Sequence, residues 1–515
     1  VTGTISNTGT IKFSGSNGLA ISSGTIEYYG ASQTIAAGTY TNLRINQSSG
    51  EAVLGNATTV NGVLTLTAGN LNIGSNDLTI GSGGSISVAS PSASRMIIAS
   101  GGSEVKKIFT STGSFTFPIG DNTGTLEYSP MTVNVTSAGG FSSAFVGVSV
   151  ADSKHPSNAS TTHFITRYWN VNQSGITSCV ATVTGTYVAA DINGTESSTK
   201  AAVLSGAFDQ TSNPWVKYAA LGANTLTVTG VTIPSGQVSA FTGITGGDPT
   251  VSISGGGVTI CSGSSVSLST AVSGDPTIIY SWSPTTGLSA STVSNPTATP
   301  TTTTTYTVTV RDGNGIAKTD NTTITVNNPP AAPSVSFPQN SYCIGATITP
   351  PTATGTALQW YSDSGLTSTL ATVDPAIPTN TELGFSSGSA GVTSVYVTQT
   401  VGGCRSAATT VTLTIFSSFV ASIVSDDADN TICSGTNVRF TATPSGGANY
   451  HFRVNGGSAQ NGTSNIYNTT SLSDGNLVDV IVSVAGGCSA TSSAITMTVN
   501  ATPTVNDPSD VAVCN

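Results

Sequence analysis

The tetrapeptide Ile-Cys-Ser-Gly occurs at 260–263 and again at 432–435, and its variant Tyr-Cys-Ile-Gly lies between them at 342–345. A fourth opening of this kind, Val-Cys-Asn, is found at 513–515. The motif therefore recurs at Cys261, Cys343, Cys433 and Cys514 with a nearly constant spacing. This period is longer than the rung of a solenoid and matches the length of a small β-sandwich domain. The motif predicts tandem β-sandwich repeats in the second half of the chain.

Each repeat continues with a strand in which apolar residues alternate, followed by an aromatic residue and a second alternating strand. Alternation with a period of two is typical of strands with one buried face. The aromatic residue is Trp282, Trp360 or Phe452. Its fixed place favours a core position, as in immunoglobulin domains. The alternative is an exposed platform for sugars made of Trp282, Trp360 and Tyr361.

Two repeats close on Gly-Gly-Cys, at Cys404 and Cys488. We predict disulfides within the repeats, Cys343–Cys404 and Cys433–Cys488, each of which closes a loop shorter than one repeat. Each bond is expected to add roughly 4 kcal/mol through loop-closure entropy. Such bonds place the chain outside a reducing cytosol.

The cysteine count is odd, at seven, so some cysteines lack an evident partner. The first repeat has Asp-Gly-Asn-Gly at 312–315 where its closing cysteine is expected, which leaves Cys261 unpaired. Cys179 has no evident mate either. Cys514 would find its mate only beyond residue 515.

Composition limits the function classes. Charged residues make up only 7% of the 515 residues, against about 25% in ordinary soluble domains. The net charge of −10 argues against nucleic acid as a partner. No run of about 20 apolar residues is present, so we expect no transmembrane segment. The chain opens on Val1 without a signal peptide, and we expect it to be a mature or excised segment.

The first 99 residues repeat in a different way. Pairs such as Leu71/Ile73 and Leu78/Ile80 recur at short intervals, separated by Gly- and Asn-rich corners. Short strands joined by such corners predict a parallel β-solenoid, with further coils expected upstream. An antiparallel sheet with short hairpins is the alternative.

Residues 100–247 carry Phe-rich strands and eight of the 17 Lys, Arg and His residues, and they predict one larger antiparallel sandwich. No stretch shows a helical apolar stripe, so the fold class is all-β. The joints between segments are short, and most contain proline, which predicts an elongated rod. We divide the chain into a β-solenoid (1–99), a β-sandwich (100–247), immunoglobulin- or PKD-like domains (248–328, 329–416 and 417–500) and the start of a further one (501–515).

The repeats resemble the immunoglobulin-like and PKD-like domains of very large surface proteins of Bacteroidota. The residues that carry this resemblance are the Cys-Ser-Gly openings, Tyr280–Pro284, Asn295–Pro300, the Thr301–Val310 run and the Gly-Gly-Cys closures. In the first segment, Thr34–Asn46, Asn56–Leu66 and Leu71–Ile80 resemble the coils of the same proteins. The resemblance implies gliding or adhesion at the cell surface and export by the type IX secretion route. The C-terminal sorting domain of such proteins is not in this sequence.

Two acidic stretches contain candidate calcium ligands. Asp312 and Asn314 offer oxygen atoms on one loop, and an ordinary hairpin turn is the favoured alternative there. Asp426, Asp427 and Asp429 cluster just before an opening cysteine, where a solvated acidic loop is favoured. No other cofactor is expected.

Other candidates have weaker signals. Tyr28, Tyr29 and Tyr168 are candidates for a surface aromatic patch. The Asp191/Glu196 pair lies in a polar loop and is expected to be solvated. The three histidines have no zinc spacing, and no nucleophile has an adjacent base, so no catalytic residue is assigned.

These observations favour a non-enzymatic extracellular stalk or filament that presents or forms an adhesin. Expected partners are other copies of the chain, other surface proteins, surface glycans or solid surfaces. The alternative is a glycan-binding or accessory region of a secreted carbohydrate-active protein. That alternative predicts an exposed aromatic strip or a carboxylate-lined cleft.

Overall fold

The computed structural model describes residues 10–13, 24–100 and 102–503, except for the side chains of Phe13 and Ala485. Of the residues that the structure describes, 54% are in β-strands, and the predicted all-β class is confirmed. The helices of the described residues are single 3-10 turns at Ala189–Asp191, Glu196–Ser198 and Ala485–Gly487. None of them is long or apolar enough to cross a membrane.

The first part of the chain consists of short strands that stack in parallel. They are Thr10–Phe13, Thr25–Gly30, Gln33–Ile35, Gly38–Tyr40, Asn42–Leu54, Thr58–Val60, Val63–Asn72, Leu78–Ile80, Ser85–Val88 and Ile97–Ile98. Two parallel ladders run through them, in which Leu43 pairs with Leu64 and Val60 pairs with Ile80. This pairing differs from the antiparallel sheet set as the alternative. It supports the interpretation of these residues as a β-solenoid.

Alternating burial explains why these residues form stacked parallel strands. Leu43, Ile45, Leu64 and Leu66 are fully buried, while the residues between them are partly exposed. Glycine is required where the corners stack. A Cβ atom on Gly62 would lie 2.5 Å from the backbone oxygen of Thr41 in the coil below. The predicted Gly- and Asn-rich corners are therefore tight contacts between coils.

The next part forms an antiparallel sandwich on the last coil. Its strands are Val105–Ile108, Gly113–Phe117, Ile119–Asp121, Glu127–Tyr128, Met131–Ser137, Gly140–Ala151, Phe164–Ile165, Tyr168–Thr177, Val180–Thr186, Ile192–Asn193, Thr199–Ser205, Val216–Ala220, Thr225–Thr232 and Val238–Thr245. Val105–Ile108 pairs in parallel with Leu78–Ile80 and antiparallel with Gly140–Ala151, so one nine-stranded sheet crosses the predicted boundary at 99/100. A single apolar core extends from Ile26 to Phe241.

Three β-sandwich repeats follow. The strands of the first repeat are Thr250–Ser254, Thr259–Cys261, Val266–Ser267, Ser269–Ser273, Ile279–Ser283, Thr297–Ala298, Thr304–Arg311 and Ala317–Asn327. Those of the second are Ser334–Ser336, Ser341–Cys343, Thr352–Thr354, Gln359–Tyr361, Thr369–Leu370, Gly391–Thr398, Thr400–Val401, Cys404–Arg405 and Thr409–Phe416. Those of the third are Ser422–Ser425, Thr431–Cys433, Val438–Thr443, Asn449–Val454, Gly457–Gly462, Ile466–Thr469, Leu477–Ser483, Ser489–Thr491, Ile495–Thr496 and Thr498–Asn500.

The repeated aromatic residue lies in the core of each repeat. Trp282, Trp360 and Phe452 are buried, and both indoles donate hydrogen bonds to backbone carbonyls, those of Val293 and Pro375. The prediction that these aromatic residues lie in the core is therefore confirmed, and they do not form an exposed platform for sugars.

The described chain forms two compact units. The first contains the residues up to Thr259 together with Gly263–Val326. The second contains Ile260–Ser262 and the residues from Asn327 onward. The three opening residues of the first repeat thus belong with the second unit.

A buried lysine closes one corner of the coils. Lys107 Nζ donates to the carbonyl oxygens of Gly81, Ser82 and Gly84 at 2.6, 2.8 and 2.7 Å. The Gly81 carbonyl also accepts the Gly84 amide within the corner, at 3.0 Å. Three backbone acceptors are thus satisfied by one ammonium group, whose pKa is lowered by burial.

Replacing this lysine should open the corner. We expect Lys107→Met to lower the stability of the first unit by about 2–4 kcal/mol, because two buried carbonyls and one partly buried carbonyl lose a charged donor. Lys106→Met is the matched control on the same strand. Its ammonium group pairs at 2.6 Å with Asp77, which is partly exposed, so its loss should cost less than about 1 kcal/mol. Hydrogen exchange of peptides covering 78–88, followed by mass spectrometry, measures the loss of stability in both variants. Equal losses in the two variants would contradict the assignment.

Candidate functional site

The opening cysteine of a repeat lies beside the last residue of the same repeat. Ser341–Cys343 pairs in parallel with the final strand, so that Cys343 is opposite Phe416. Thr431–Cys433 pairs in the same way, with Cys433 opposite Asn500. The amide of the residue after the opening cysteine donates to the carbonyl of the last residue of the repeat. In the second repeat, the Ile344 amide lies 3.0 Å from the Phe416 carbonyl oxygen. The opening cysteine is thereby fixed at the end of the domain where the next repeat begins.

The closing cysteine lies on a tight turn, which we call the junction turn, at 402–404 and 486–488. Both glycines of each turn have positive φ angles, from 58° to 81°, a region that strains other residues. A Cβ atom on Gly486 would lie 2.5 Å from the Phe416 ring. Asn327 donates its side-chain amide to the Gly402 carbonyl at 3.1 Å. Each junction turn thus packs on the last residue of the preceding repeat.

The disulfides join successive repeats. Cys261 is bonded to Cys404 and Cys343 to Cys488, with Cα atoms 5.5 and 5.4 Å apart. Both bonds lie within the second unit.

The predicted pairs Cys343–Cys404 and Cys433–Cys488 are therefore wrong, and Cys261 does have a partner. Strand direction gives the reason. Cys343 lies beside the end of Thr409–Phe416, whereas Cys404 precedes the beginning of this eight-residue strand. Such a strand is roughly 23 Å long, and a disulfide needs Cα atoms within about 7 Å.

Two described cysteines carry free thiols. Cys433 is exposed and Cys179 is buried. Burial raises the pKa of Cys179, as expected for an inert core thiol. Cys514 lies outside the described residues.

The first repeat has a hydrogen-bonded junction in place of a covalent one. Its 312–315 turn joins the antiparallel strands Thr304–Arg311 and Ala317–Asn327, which confirms the hairpin interpretation. Asn314 donates from Nδ2 to Asp275 Oδ2 at 2.7 Å and to Ser160 Oγ at 2.9 Å. Its Oδ1 accepts from the Ala159 amide at 2.8 Å. Asn314 thus ties this turn to the preceding sandwich.

The backbone of this turn is equally enclosed. A Cβ atom on Gly313 would lie 2.6 Å from the Ala159 side chain, and one on Gly315 would lie 2.5 Å from Pro214. Gln210 donates from Nε2 to the Asp312 carbonyl at 2.7 Å. The turn is therefore held from both sides by residues of the preceding sandwich.

The candidate calcium ligands on this turn serve the protein itself. Asp312 Oδ1 accepts the amides of Asn314 and Ile316 at 3.1 and 2.9 Å, and burial raises the pKa of this carboxyl group. Both side chains are buried. Their polar atoms are engaged in the hairpin and the junction.

The second acidic stretch forms local turn contacts. Asp426 Oδ1 accepts the Arg439 amide at 2.8 Å, and Asp429 Oδ1 accepts the Thr431 amide at 3.0 Å. Within the described residues, the carboxylates of Asp426, Asp427 and Asp429 do not converge on a common point.

The predicted aromatic patch is not formed. Tyr28 is fully buried in the coil core, because its side chain points to the same face as Ile26. Tyr29, the next residue, points outward and is 40% exposed. Tyr168 is partly buried and lies edge-on to His155, which in turn packs on Trp215. The three tyrosines therefore do not form a shared surface.

The structure instead reveals a buried ionic cluster that sequence reasoning missed. The fully buried Arg167 contacts four carboxylates, those of Asp121, Glu127, Asp152 and Asp191. Arg167 Nε donates to Asp191 Oδ2 at 2.7 Å and Nη2 donates to Asp152 Oδ1 at 3.3 Å. Asp191 is thus buried, so the expectation of a solvated Asp191/Glu196 pair is wrong. Glu196 accepts from the Asn224 amide and from the Tyr187 hydroxyl.

Burial and ion pairing act in opposite directions on the pKa values of this cluster. Burial raises the pKa values of Glu127 and Asp152, and the positive charge of Arg167 opposes this only in part. Burial would lower the pKa of Arg167, but its hydrogen bonds to Asp191 and Asp121 raise it.

Three carboxylates of this cluster have the spacing of metal ligands. Oxygen atoms of Glu127, Asp152 and Asp191 lie within 4.8 Å of one another. The guanidinium of Arg167 already pairs with all three, and it occupies the position that a cation would take. These residues therefore do not fit a metal site.

Comparisons with known proteins give no family. No family model matches the chain, and no curated protein matches it. Solved structures similar to it include fibronectin(III)-like modules of Clostridium thermocellum CbhA, at 12% identity over 33% of this chain and 94% of that one, with a TM-score of 0.24. Domains A168–A170 of titin match at 13% identity over 49% and 99%, with a TM-score of 0.21. The N-terminal four immunoglobulin domains of Dscam1 isoform 6.44 match at 11% identity over 62% and 95%, with a TM-score of 0.16. Scores this low carry no argument about function.

The ionic cluster predicts a large stability loss when its central cation is removed. Arg167→Met should destabilise the first unit by about 3–5 kcal/mol, because four carboxylates lose the cation that balances their charge. Arg453→Met is the matched control, since Arg453 pairs with Asp479 at a partly exposed site and should cost far less. Urea unfolding followed by hydrogen exchange of peptides covering 145–151 and 449–454 measures both losses. A small loss for Arg167→Met would show that the cluster is not a stabilising element.

The raised pKa of Glu127 predicts a pH-dependent effect. Above its folded-state pKa, the ionised carboxylate of Glu127 destabilises the native protein, and this cost disappears as the pH falls through that pKa. Glu127→Gln should therefore raise stability at neutral pH, with the gain shrinking towards about pH 4.

Glu382→Gln is the control of opposite sign. Backbone hydrogen bonds from Thr379 and Val373 lower the pKa of Glu382, so this variant should lose stability at neutral pH. Unfolding midpoints between about pH 4 and about pH 8 compare the two variants. The same sign for both would contradict the electrostatic account.

Proposed function

We propose that this chain is a non-enzymatic extracellular segment that transmits tension along a series of β-domains. It acts as a stalk or filament that presents or forms a cell-surface adhesin. Its partners are other copies of itself, other surface proteins, surface glycans or solid surfaces.

The observation that carries this proposal is the offset pairing of the cysteines. The bonds Cys261–Cys404 and Cys343–Cys488 interleave, because Cys343 lies between the two ends of the first bond. A disulfide within one repeat would limit the extension of that repeat alone. Interleaved bonds between repeats limit the extension of all three together, which suits a chain that is pulled from its ends.

The hydrogen-bonded junction of the first repeat supports the same role. Asp275, Ser160 and Asn314 form a buried network where that repeat meets the preceding sandwich. Buried polar networks of this kind rigidify when all members are satisfied. The segment therefore has reinforced joints where a loose linker would be expected in a chain of independent domains.

The glycan-binding alternative lacks a supporting observation. It predicts an exposed aromatic strip or a carboxylate-lined cleft, but all four tryptophans of the chain are at most 2% exposed, and the clustered carboxylates of the sandwich pair with the buried Arg167. The candidate tyrosines are separated or buried.

The resemblance of the repeats to Bacteroidota surface proteins refines the proposal. It implies export by the type IX route and gliding or adhesion as the cellular role. Disulfides support a location outside a reducing cytosol.

Single-molecule pulling of the whole chain tests the proposal. With both disulfides intact, the shortest covalent path from Cys261 to Cys488 contains only the segment between Cys343 and Cys404. Reduction frees the entire segment from Cys261 to Cys488. At roughly 3.3–3.6 Å per residue, we expect reduction to lengthen the fully extended chain by about 55–60 nm.

Single substitutions serve as internal controls. Cys261→Ser leaves the path from Cys261 to Cys343 and across the Cys343–Cys488 bond. Cys488→Ser leaves the path across the Cys261–Cys404 bond and on to residue 488. Each single variant should therefore lengthen the oxidised chain by only about 7–8 nm, because the other bond still holds. A large gain for either single variant, or none on reduction, would overturn the tension-bearing role.

A further inference from the structure

We propose that Cys433 is an attachment site, and that its thiol bonds the closing cysteine of a further β-sandwich repeat. The two equivalent cysteines of this same chain, Cys261 and Cys343, are each bonded to the closing cysteine of the next repeat. Cys433 occupies the same place in the third repeat and carries a free thiol.

The backbone at Cys433 matches that at the bonded cysteines. Cys433 is opposite Asn500 as Cys343 is opposite Phe416. The glycine two positions later has a φ of 83° after Cys433 and 80° after Cys343. The backbone that carries Cys433 is therefore paired and turned as it is at the bonded Cys343.

The third repeat matches the first more closely than the second. Both contain Thr-Ile-Cys-Ser-Gly at the opening, and both end their final strand on Thr-Val-Asn, at 325–327 and 498–500. The amide of Ser262 donates to the Asn327 carbonyl at 3.0 Å, and that of Ser434 donates to the Asn500 carbonyl at 2.9 Å. The opening motif, the strand ending and the hydrogen bond between them at Cys433 are thus those found at Cys261, which is bonded to Cys404.

This match defines the chemistry of the partner. The partner is a Gly-Gly-Cys turn of the kind at 402–404, whose first carbonyl accepts a hydrogen bond from Asn327 Nδ2. The exposed Asn500 would supply the equivalent donor. The Val-Cys-Asn at 513–515, outside the described residues, resembles the opening of such a repeat.

Bond formation proceeds by exchange with a disulfide donor, a small molecule or an oxidoreductase. The thiolate of Cys433 attacks the donor, forms a mixed disulfide and releases one donor thiol. The thiolate of the closing cysteine then attacks the Cys433 sulfur and releases the second donor thiol. The donor disulfide takes up the two electrons and the two protons that the protein thiols lose.

Adding a repeat to the end of the chain tests this inference. The inference deepens the proposed function and rests on it, because both require repeats that are arranged in series. A copy of residues 328–416 is joined directly after Asn500, so that its Gly-Gly-Cys turn follows the same strand ending as in the natural order. After oxidation with glutathione disulfide, mapping by peptide mass spectrometry without reduction should identify a bond from Cys433 to the copied Cys404 in nearly all molecules. Cys433→Ser in the extended chain should leave the copied closing cysteine free.

Two results would overturn the inference. One is a copied closing cysteine that stays free while the copy resists proteolysis. The other is its bonding to the opening cysteine of its own copy. A second extension, with a copy of 417–500, keeps the test decisive if the first copy does not fold. The natural pairs Cys261–Cys404 and Cys343–Cys488 are mapped in the same digest, so a failure at Cys433 is distinguishable from a failure of the pulling experiment.

Discussion

The structure depends on one constraint, which is that the turn before the last strand of each repeat packs on the end of the preceding domain. Gly486 must lack a side chain because Phe416 of the preceding repeat fills the space. Gly313 meets the same requirement against Ala159 of the preceding sandwich. Where the preceding domain offers a cysteine, the turn carries a cysteine. Where it offers Ser160 and the Ala159 amide, the turn carries Asn314, which also pairs with Asp275 of its own repeat, and the junction is closed by hydrogen bonds.

The few charged residues of the chain are placed where they hold different elements together. Only 7% of residues are charged, and the two most deeply paired cations lie where elements of different kinds meet. Lys107 joins the strand that enters the sandwich to a corner of the coils. Arg167 brings together carboxylates from the strand Ile119–Asp121, from the loop after Gly140–Ala151 and from a 3-10 turn. The uncharged Ser, Thr, Asn and Gly residues of the surface form few ion pairs. The buried ion pairs therefore fix how the elements meet at the points where apolar alternation alone does not.

The sequence predicted what depends on local pattern. Alternating apolar residues identified the strands and the buried Trp360, and the Asp-Gly-Asn-Gly stretch identified a hairpin. The disulfides were mispaired because closeness along the chain was taken for closeness in space, although strand direction puts Cys343 and Cys404 at opposite ends of a strand. One sequence signal pointed to the correct pairing: Cys261 had no partner in its own repeat, and shifting every pair by one repeat would have removed that anomaly. The Arg167 cluster had no such signal, because its five residues are spread from 121 to 191.

Offset pairing also changes how neighbouring repeats unfold. A bond inside one domain reduces the entropy gained when that domain alone unfolds, and leaves its neighbours independent. A bond between domains holds the end of one repeat against the junction turn of the next, so that a repeat that has unfolded remains tethered to a folded neighbour. The tether keeps its strands at a high effective concentration and favours refolding in the original register. Because the second repeat contributes Cys404 to one bond and Cys343 to the other, it is tethered on both sides. The repeat between two bonds is therefore the one whose unfolding is most restricted, although it has no disulfide within itself.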